Sequence, residues 1–147
     1  MITATNAAKQ DFIPVMRELV RAYQAFASYD AKGYEGTELT VPQADVLFTL
    51  GNTEGLSFKE IGERTLITKG TLTGVIDRME AKGLVRRKQS PLDGRITLVV
   101  LTRQGERKFE KIFPKQVAYI KQCFDKLSST ELREIKKSLV RLREIFS

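Results

Sequence analysis

The sequence predicts a mainly α-helical fold with one small β-hairpin, an α+β arrangement flanked by long helices. Three observations predict it. Apolar residues recur at helical spacing in six stretches. The pairs Thr40/Gln43, Ser57/Glu60 and Ser128/Glu131 each place a hydroxyl three residues before a Gln or Glu, the pattern of a capping box at a helix start. Between Leu84 and Leu101 the pattern shifts to alternating or continuous apolar residues, interrupted by Pro91, Asp93 and Gly94, which supply turn chemistry.

The first helix is expected from Lys9 to Tyr29, on the spacing of Phe12, Met16, Leu19, Val20, Tyr23, Phe26 and Ala27. Asp30 to Glu38 contains Gly33 and Gly36 and reads as a loop. Thr40 opens a second helix that carries Pro42 in its first turn, where a missing N–H does no harm. Val46, Leu47 and Leu50 are its apolar face, and Gly51 stops it. Ser57 opens a short third helix to about Thr65, anchored by Ile61. Leu66-Ile67 make a tight turn. Thr68 is expected to cap the fourth helix, whose buried side is Leu72, Val75, Ile76 and Met79. It ends at Gly83, a left-handed C-terminal position. Two strands follow, Leu84–Lys88 and Ile96–Leu101. Thr102 caps a long fifth helix with Phe109, Ile112, Phe113, Val117, Ile120 and Phe124 on one side, and Pro114 inside it should kink or loosen a turn. The last helix shows Leu132, Ile135, Leu139, Leu142 and Phe146, a seam of coiled-coil type.

Composition narrows the function. At 147 residues one domain is expected. The net charge of +7 favours a polyanionic partner, nucleic acid first and an anionic membrane surface second. The single cysteine, Cys123, rules out an intramolecular disulfide. Histidine is absent, which removes the commonest general base and the commonest metal ligand. No catalytic group, metal or cofactor is therefore expected. There is no signal-peptide pattern and no apolar run near the ~20 residues of a membrane span, so a cytoplasmic protein is expected.

Residues Ser57 to Arg103 carry ten basic and five acidic residues, a surplus of five out of the chain's seven. Helix, turn, helix and charged hairpin in that order is how a small domain lays one helix in a DNA major groove and reaches sideways with a loop. The expected contact set is Ser57, Lys59 and Arg64 on the first of these helices, Thr68, Lys69, Gly70, Thr71, Thr73 and Arg78 on the second, and Arg86, Arg87, Asp93 and Arg95 on the hairpin. Hydroxyls can serve base edges and phosphates, threonine methyls can touch thymine, and glycines allow close backbone approach. Thr71 is expected to contact base or phosphate, with helix capping as its other role. Asp93 and Arg95 flank Gly94 and are close enough to pair; spacing alone leaves an orienting pair and an ordinary exposed turn pair equally open. An arginine on a thin loop suits a narrow minor groove.

Leu39-Thr40 with Gln43, Lys82-Gly83-Leu84-Val85, Asp93-Gly94-Arg95, and Leu101-Thr102 with Gly105 stand in one register. This ordered set resembles the MarR family of bacterial winged helix-turn-helix transcription regulators. The resemblance implies that the helix from Thr68 is the recognition helix and that Arg95 enters the minor groove, steadied by Asp93. It implies residues 39–102 as the winged lobe, and 1–38 with 103–147 as dimerisation helices. It also implies an effector crevice between the dimer helices and the lobe. Gly74 departs from the larger polar or basic residue of many relatives, so base preference does not carry over. One branch of the family senses peroxides through a cysteine near the N-terminus, and the first helix here has none. Cys123 is expected to be a buried structural thiol.

The functional expectation is a dimeric regulator of double-stranded DNA, a repressor acting at a pseudo-palindromic operator and relieved by a small aromatic or phenolic effector. The homodimer would use Phe12, Met16, Leu19, Leu132, Ile135, Leu139, Leu142 and Phe146. Tyr23, Phe26, Tyr29 and Phe48 are the candidate effector-lining residues, with a core role as the alternative. A winged helix serving only as a protein-interaction module is the second reading, and the basic surplus argues against it. A membrane role is not expected, because dimerisation better explains the apolar faces of the terminal helices.

Overall fold

The computed structural model describes residues 1–147. A 3-10 turn at Ala7–Lys9 precedes α1 (Ile13–Lys32), α2 (Val41–Leu50), β1 (Leu56–Ser57), α3 (Phe58–Thr65), α4 (Lys69–Ala81), β2 (Val85–Gln89), β3 (Thr97–Leu101), α5 (Arg103–Phe124) and α6 (Ser129–Ile145). The predicted class holds: six helices and one small antiparallel sheet.

Three of the helix starts are built as the sequence predicts. Thr40, Ser57 and Ser128 each accept from the backbone N–H three residues on, and the Gln or Glu there accepts from the cap residue's own N–H. The same bonds hold the carboxyls of Glu60 and Glu131 below the ordinary glutamate range. Thr102 closes α5 to the hairpin. Its Oγ1 donates to the Gly83 carbonyl at 2.5 Å and accepts from the Gly105 N–H at 3.0 Å. Gly105 is required there, since a Cβ would stand 2.0 Å from the Leu84 carbonyl oxygen.

The sheet has the order β1-β3-β2. In the hairpin Val85 faces Leu101 and Gln89 faces Thr97, and Ser90 N–H donates to the Ile96 carbonyl at 2.8 Å to close the wing. The third strand was not expected. Its two residues pair Leu56 with Val99 and Ser57 with Leu98, too short a run to show any alternation. Other boundaries differ. α1 starts later than expected, with Pro14 in its first turn, and runs on to Lys32 before Gly33. β2 is shifted by one residue, and β3 begins one residue later than expected. Pro114 lies inside α5, which continues past it.

One apolar core joins α2, α3, α4, the sheet and the first half of α5. Leu47, Leu50, Ile61, Leu72, Ile76, Met79 and Val99 are almost wholly buried in it, each burial being worth about 1.5–3 kcal/mol. Tyr34, Phe48, Phe109 and Phe113 extend this core by edge and stacked contacts with centroids 5.0–6.4 Å apart. By contrast, α1 and α6 bury no residue.

Candidate nucleic-acid interface

α3 and α4 meet across Leu66 and Ile67. Leu66 adopts left-handed backbone angles (φ 62°, ψ 12°), unfavourable for a leucine, and its side chain is 88% exposed. Thr65 holds the corner, its Oγ1 donating to the Ile61 carbonyl and accepting from the Ile67 N–H. Sequence reasoning saw the turn but not this exposed leucine, because nothing in the residue type signals a left-handed backbone.

α4 divides cleanly. Leu72, Val75, Ile76 and Met79 are buried, and Lys69, Gly70, Thr71, Thr73 and Arg78 face solvent. Thr68 has the extended backbone of a cap residue, but its hydroxyl makes no cap bond. Instead its Oγ1 donates to Thr71 Oγ1 at 3.1 Å. The expected cap is therefore corrected. The orphan N–H groups of the first turn remain free, and two hydroxyls sit together in front of them. A Cβ at Gly70 would meet nothing within 4 Å, and one at Gly74 would only reach the Arg78 guanidinium at 3.4 Å. Packing within the chain does not require glycine at either place, although each costs a helix about 1 kcal/mol.

At the wing tip Asp93 and Arg95 pair, as their spacing allows. Arg95 Nε and Nη2 donate to the two carboxylate oxygens of Asp93 at 3.1 and 3.0 Å, and the Arg95 backbone N–H donates to Oδ1 at 3.0 Å. The pair is a fork-to-fork arrangement that fixes the guanidinium plane. These bonds hold the Asp93 carboxyl below its ordinary range. Arg95 is nonetheless 90% exposed, while Asp93 is two-thirds covered. The charge is oriented and remains open to a partner.

Arg87, expected at the DNA surface, is engaged within the chain. Its guanidinium donates to Asp77 at 2.7 Å and to Glu80 at 2.5 Å, both on α4, and its Cζ lies 5.5 Å from the Phe58 ring centroid on α3. The Asp77 hydrogen bond in particular raises its pKa. Arg87 braces β2 against α4 and α3. Lys82, exposed just past the end of α4, is likewise engaged within the chain, its Nζ donating to the Glu38 carbonyl and to Gln43 Oε1. Lys59, Arg64, Lys69, Arg78 and Arg86 are exposed and enter no ion pair. Ser57 caps α3, which leaves its hydroxyl proton available to a phosphate.

The expected effector-lining residues do not gather in one cavity. Tyr23 and Phe26 are exposed on α1. Tyr29 stacks on Tyr119 of α5 at 4.3 Å and donates to the Tyr119 carbonyl. Phe48 packs in the aromatic core. A concavity of about 810 Å³ lies elsewhere, between the 33–38 turn and α5, and none of the four lines it. Cys123 is half-buried, not buried as expected. The expected dimer residues Phe12, Met16, Leu132, Ile135, Leu139 and Phe146 are exposed, and Leu19 and Leu142 are half-covered. No helix is long and apolar enough to cross a membrane.

Comparison with known proteins agrees with this geometry. The model of the MarR family matches residues 37–96. The HTH-type transcriptional regulator MhqR of Bacillus subtilis (strain 168) is 31% identical over 124 residues, covering 84% of this chain and 86% of MhqR. Among solved structures, AbsC, a MarR family transcriptional regulator from Streptomyces coelicolor, superposes with a TM-score of 0.80 at 26% identity, covering 99% of this chain and 97% of AbsC. Bordetella bronchiseptica BpsR, whose DNA binding is regulated by 6-hydroxynicotinic acid, gives 0.77 at 28% identity over 91% of this chain and 96% of BpsR.

Proposed function

This chain belongs to the MarR family of DNA-binding transcriptional regulators, and from that premise we propose that it acts as a homodimeric repressor. Two copies of α4 would enter successive major grooves of a pseudo-palindromic operator, with half-sites about 10 bp apart. The observation that carries this reading is the solvent face of the winged lobe. Unpacked Gly70 and Gly74, the Thr68–Thr71 hydroxyl pair and the Asp93-oriented Arg95 stand in a region of unpaired cations.

In this reading Lys59, Arg64, Lys69, Arg78 and Arg86 neutralise phosphates, Thr71 and Thr73 meet base edges, and Arg95 occupies the minor groove. The exposed apolar residues of α1 and α6 become the dimer interface, a split core of the obligate kind. A small aromatic acid would relieve repression, a role supported by the 6-hydroxynicotinic acid that regulates BpsR.

Selection of bound duplexes from a random library, followed by footprinting, tests the operator. A two-fold motif protected on one face is expected. Full affinity for a single asymmetric half-site would contradict it. Repeating the selection with aromatic acids tests the effector, and affinity unchanged by every acid would remove that part.

A further inference from the structure

We propose that the groove between the 33–38 turn and α5 is a binding site for an organic polyphosphate, a small molecule carrying a di- or triphosphate chain. Its lining residues are none of those proposed to contact DNA, and the assignment holds whether or not an aromatic effector exists.

The groove is about 810 Å³, matched to a nucleotide-sized ligand. Five cations line it: Lys32 at the end of α1, and Arg107, Lys108, Lys111 and Lys115 along α5. Glu35 and Glu38 are the opposing charges, which leaves a surplus of three. None of the five cations enters an ion pair within the chain. Only two of the fourteen lining residues are hydrophobic, so an apolar aromatic ligand has little to bind there.

A solvated helix face would not be arranged this way. Arg107/Lys111 and Lys111/Lys115 are like charges four residues apart, which destabilise a helix. The acidic residues Glu106 and Glu110 could have relieved them, yet both line the crevice on the opposite flank of α5, beside Arg86 and Lys88. The charges of α5 are sorted by face, and the basic face closes onto a concave wall. Converging cations in a groove focus the potential and raise the local concentration of a multivalent anion.

Isothermal titration of the full-length protein with pyrophosphate and with ATP, without DNA, tests the assignment. We expect saturable binding of one anion per chain. Lys111→Glu with Lys115→Glu should weaken both by roughly tenfold or more. Should that pair disturb folding by circular dichroism, Lys111→Gln with Lys115→Gln keeps the test, with a smaller loss in the same direction. Glu35→Gln should tighten binding, because it removes an opposing charge from the groove wall. Absence of saturable binding in the native protein would overturn the site. So would full affinity in the folded lysine variants, because the anion would then be held by the DNA-facing cations.

Discussion

The winged lobe and the two outer helices solve the same problem differently. α2, α3, α4 and the sheet close over a shared apolar core, and their polar faces are free for another molecule. α1 and α6 are amphipathic too, yet bury nothing: Leu139 is 50% exposed and Met16 is 47% exposed. The lobe covers its apolar faces within one chain, and the outer helices leave theirs open. A substitution in one region should therefore read out as DNA affinity, and in the other as assembly.

The largest effect should come from the outer helices. Leu139→Asp places a charge in the proposed interface, where it would lack a partner. Sedimentation should show the dimer lost or the protein unfolded, by several kcal/mol. A well-folded dimer with native affinity for DNA would break the comparison, because α6 would then not need a second copy.

Next comes the wing. Arg95→Ala should weaken operator binding roughly ten- to a hundredfold, as for loss of a specific contact in the groove. Folding and dimerisation should be unchanged, since the side chain is 90% exposed. Asp93→Ala should weaken binding less. It removes the group that orients Arg95, but also a negative charge near phosphates, so the two effects oppose. Titration of labelled duplex measures both, and native affinity in Arg95→Ala would leave recognition to α4 alone.

A finer contrast lies within the lobe, between two adjacent arginines. Arg86 is exposed and unpaired, and Arg87 is bound to Asp77 and Glu80. Arg86→Ala should reduce the slope of log affinity against log salt by about one, the signature of a lost phosphate contact. Arg87→Ala should leave that slope nearly unchanged while lowering affinity severalfold and melting temperature by a few degrees. Equal slope changes in the two variants would put Arg87 back on the DNA.

This pair shows how much of the site was legible in the sequence. Helix starts were legible because capping is local: hydroxyl and acceptor lie three residues apart, and Thr40, Ser57 and Ser128 form as expected. The wing and the buried side of α4 were legible from periodicity. Arg87 was not, because its partners lie seven and ten residues away on another element, and in sequence it is one of three successive cations. The separation of the candidate effector-lining aromatics was hidden for the same reason. Tyr29 and Phe48 are both aromatic and near in sequence, but α1 directs one to Tyr119 and α2 sends the other into the core. Thr68 failed more narrowly. The cap position was right, and the hydroxyl chose a neighbouring side chain over the backbone.

The smallest effect is inside the lobe, where it carries a pH dependence. Asp45 on α2 is half-covered and has no ion-pair partner, and its carboxyl is pushed up to about 6, first by burial and then by the charge of Asp30. Its ordinary value is 3.8. The folded chain thus holds this proton more tightly than the unfolded chain does. The native state is favoured most below the ordinary value, and that contribution declines as pH rises toward about 6 and stays lost above it. Asp45→Asn removes the ionisation. At about pH 8 the variant should be more stable, by on the order of 1 kcal/mol once solvent screening of the half-exposed carboxylate is allowed for. The gain should shrink through the interval between the two values and disappear near pH 4. Thermal melts of both proteins across that range measure it. A gain independent of pH would mean that packing, and not the buried charge, separates them.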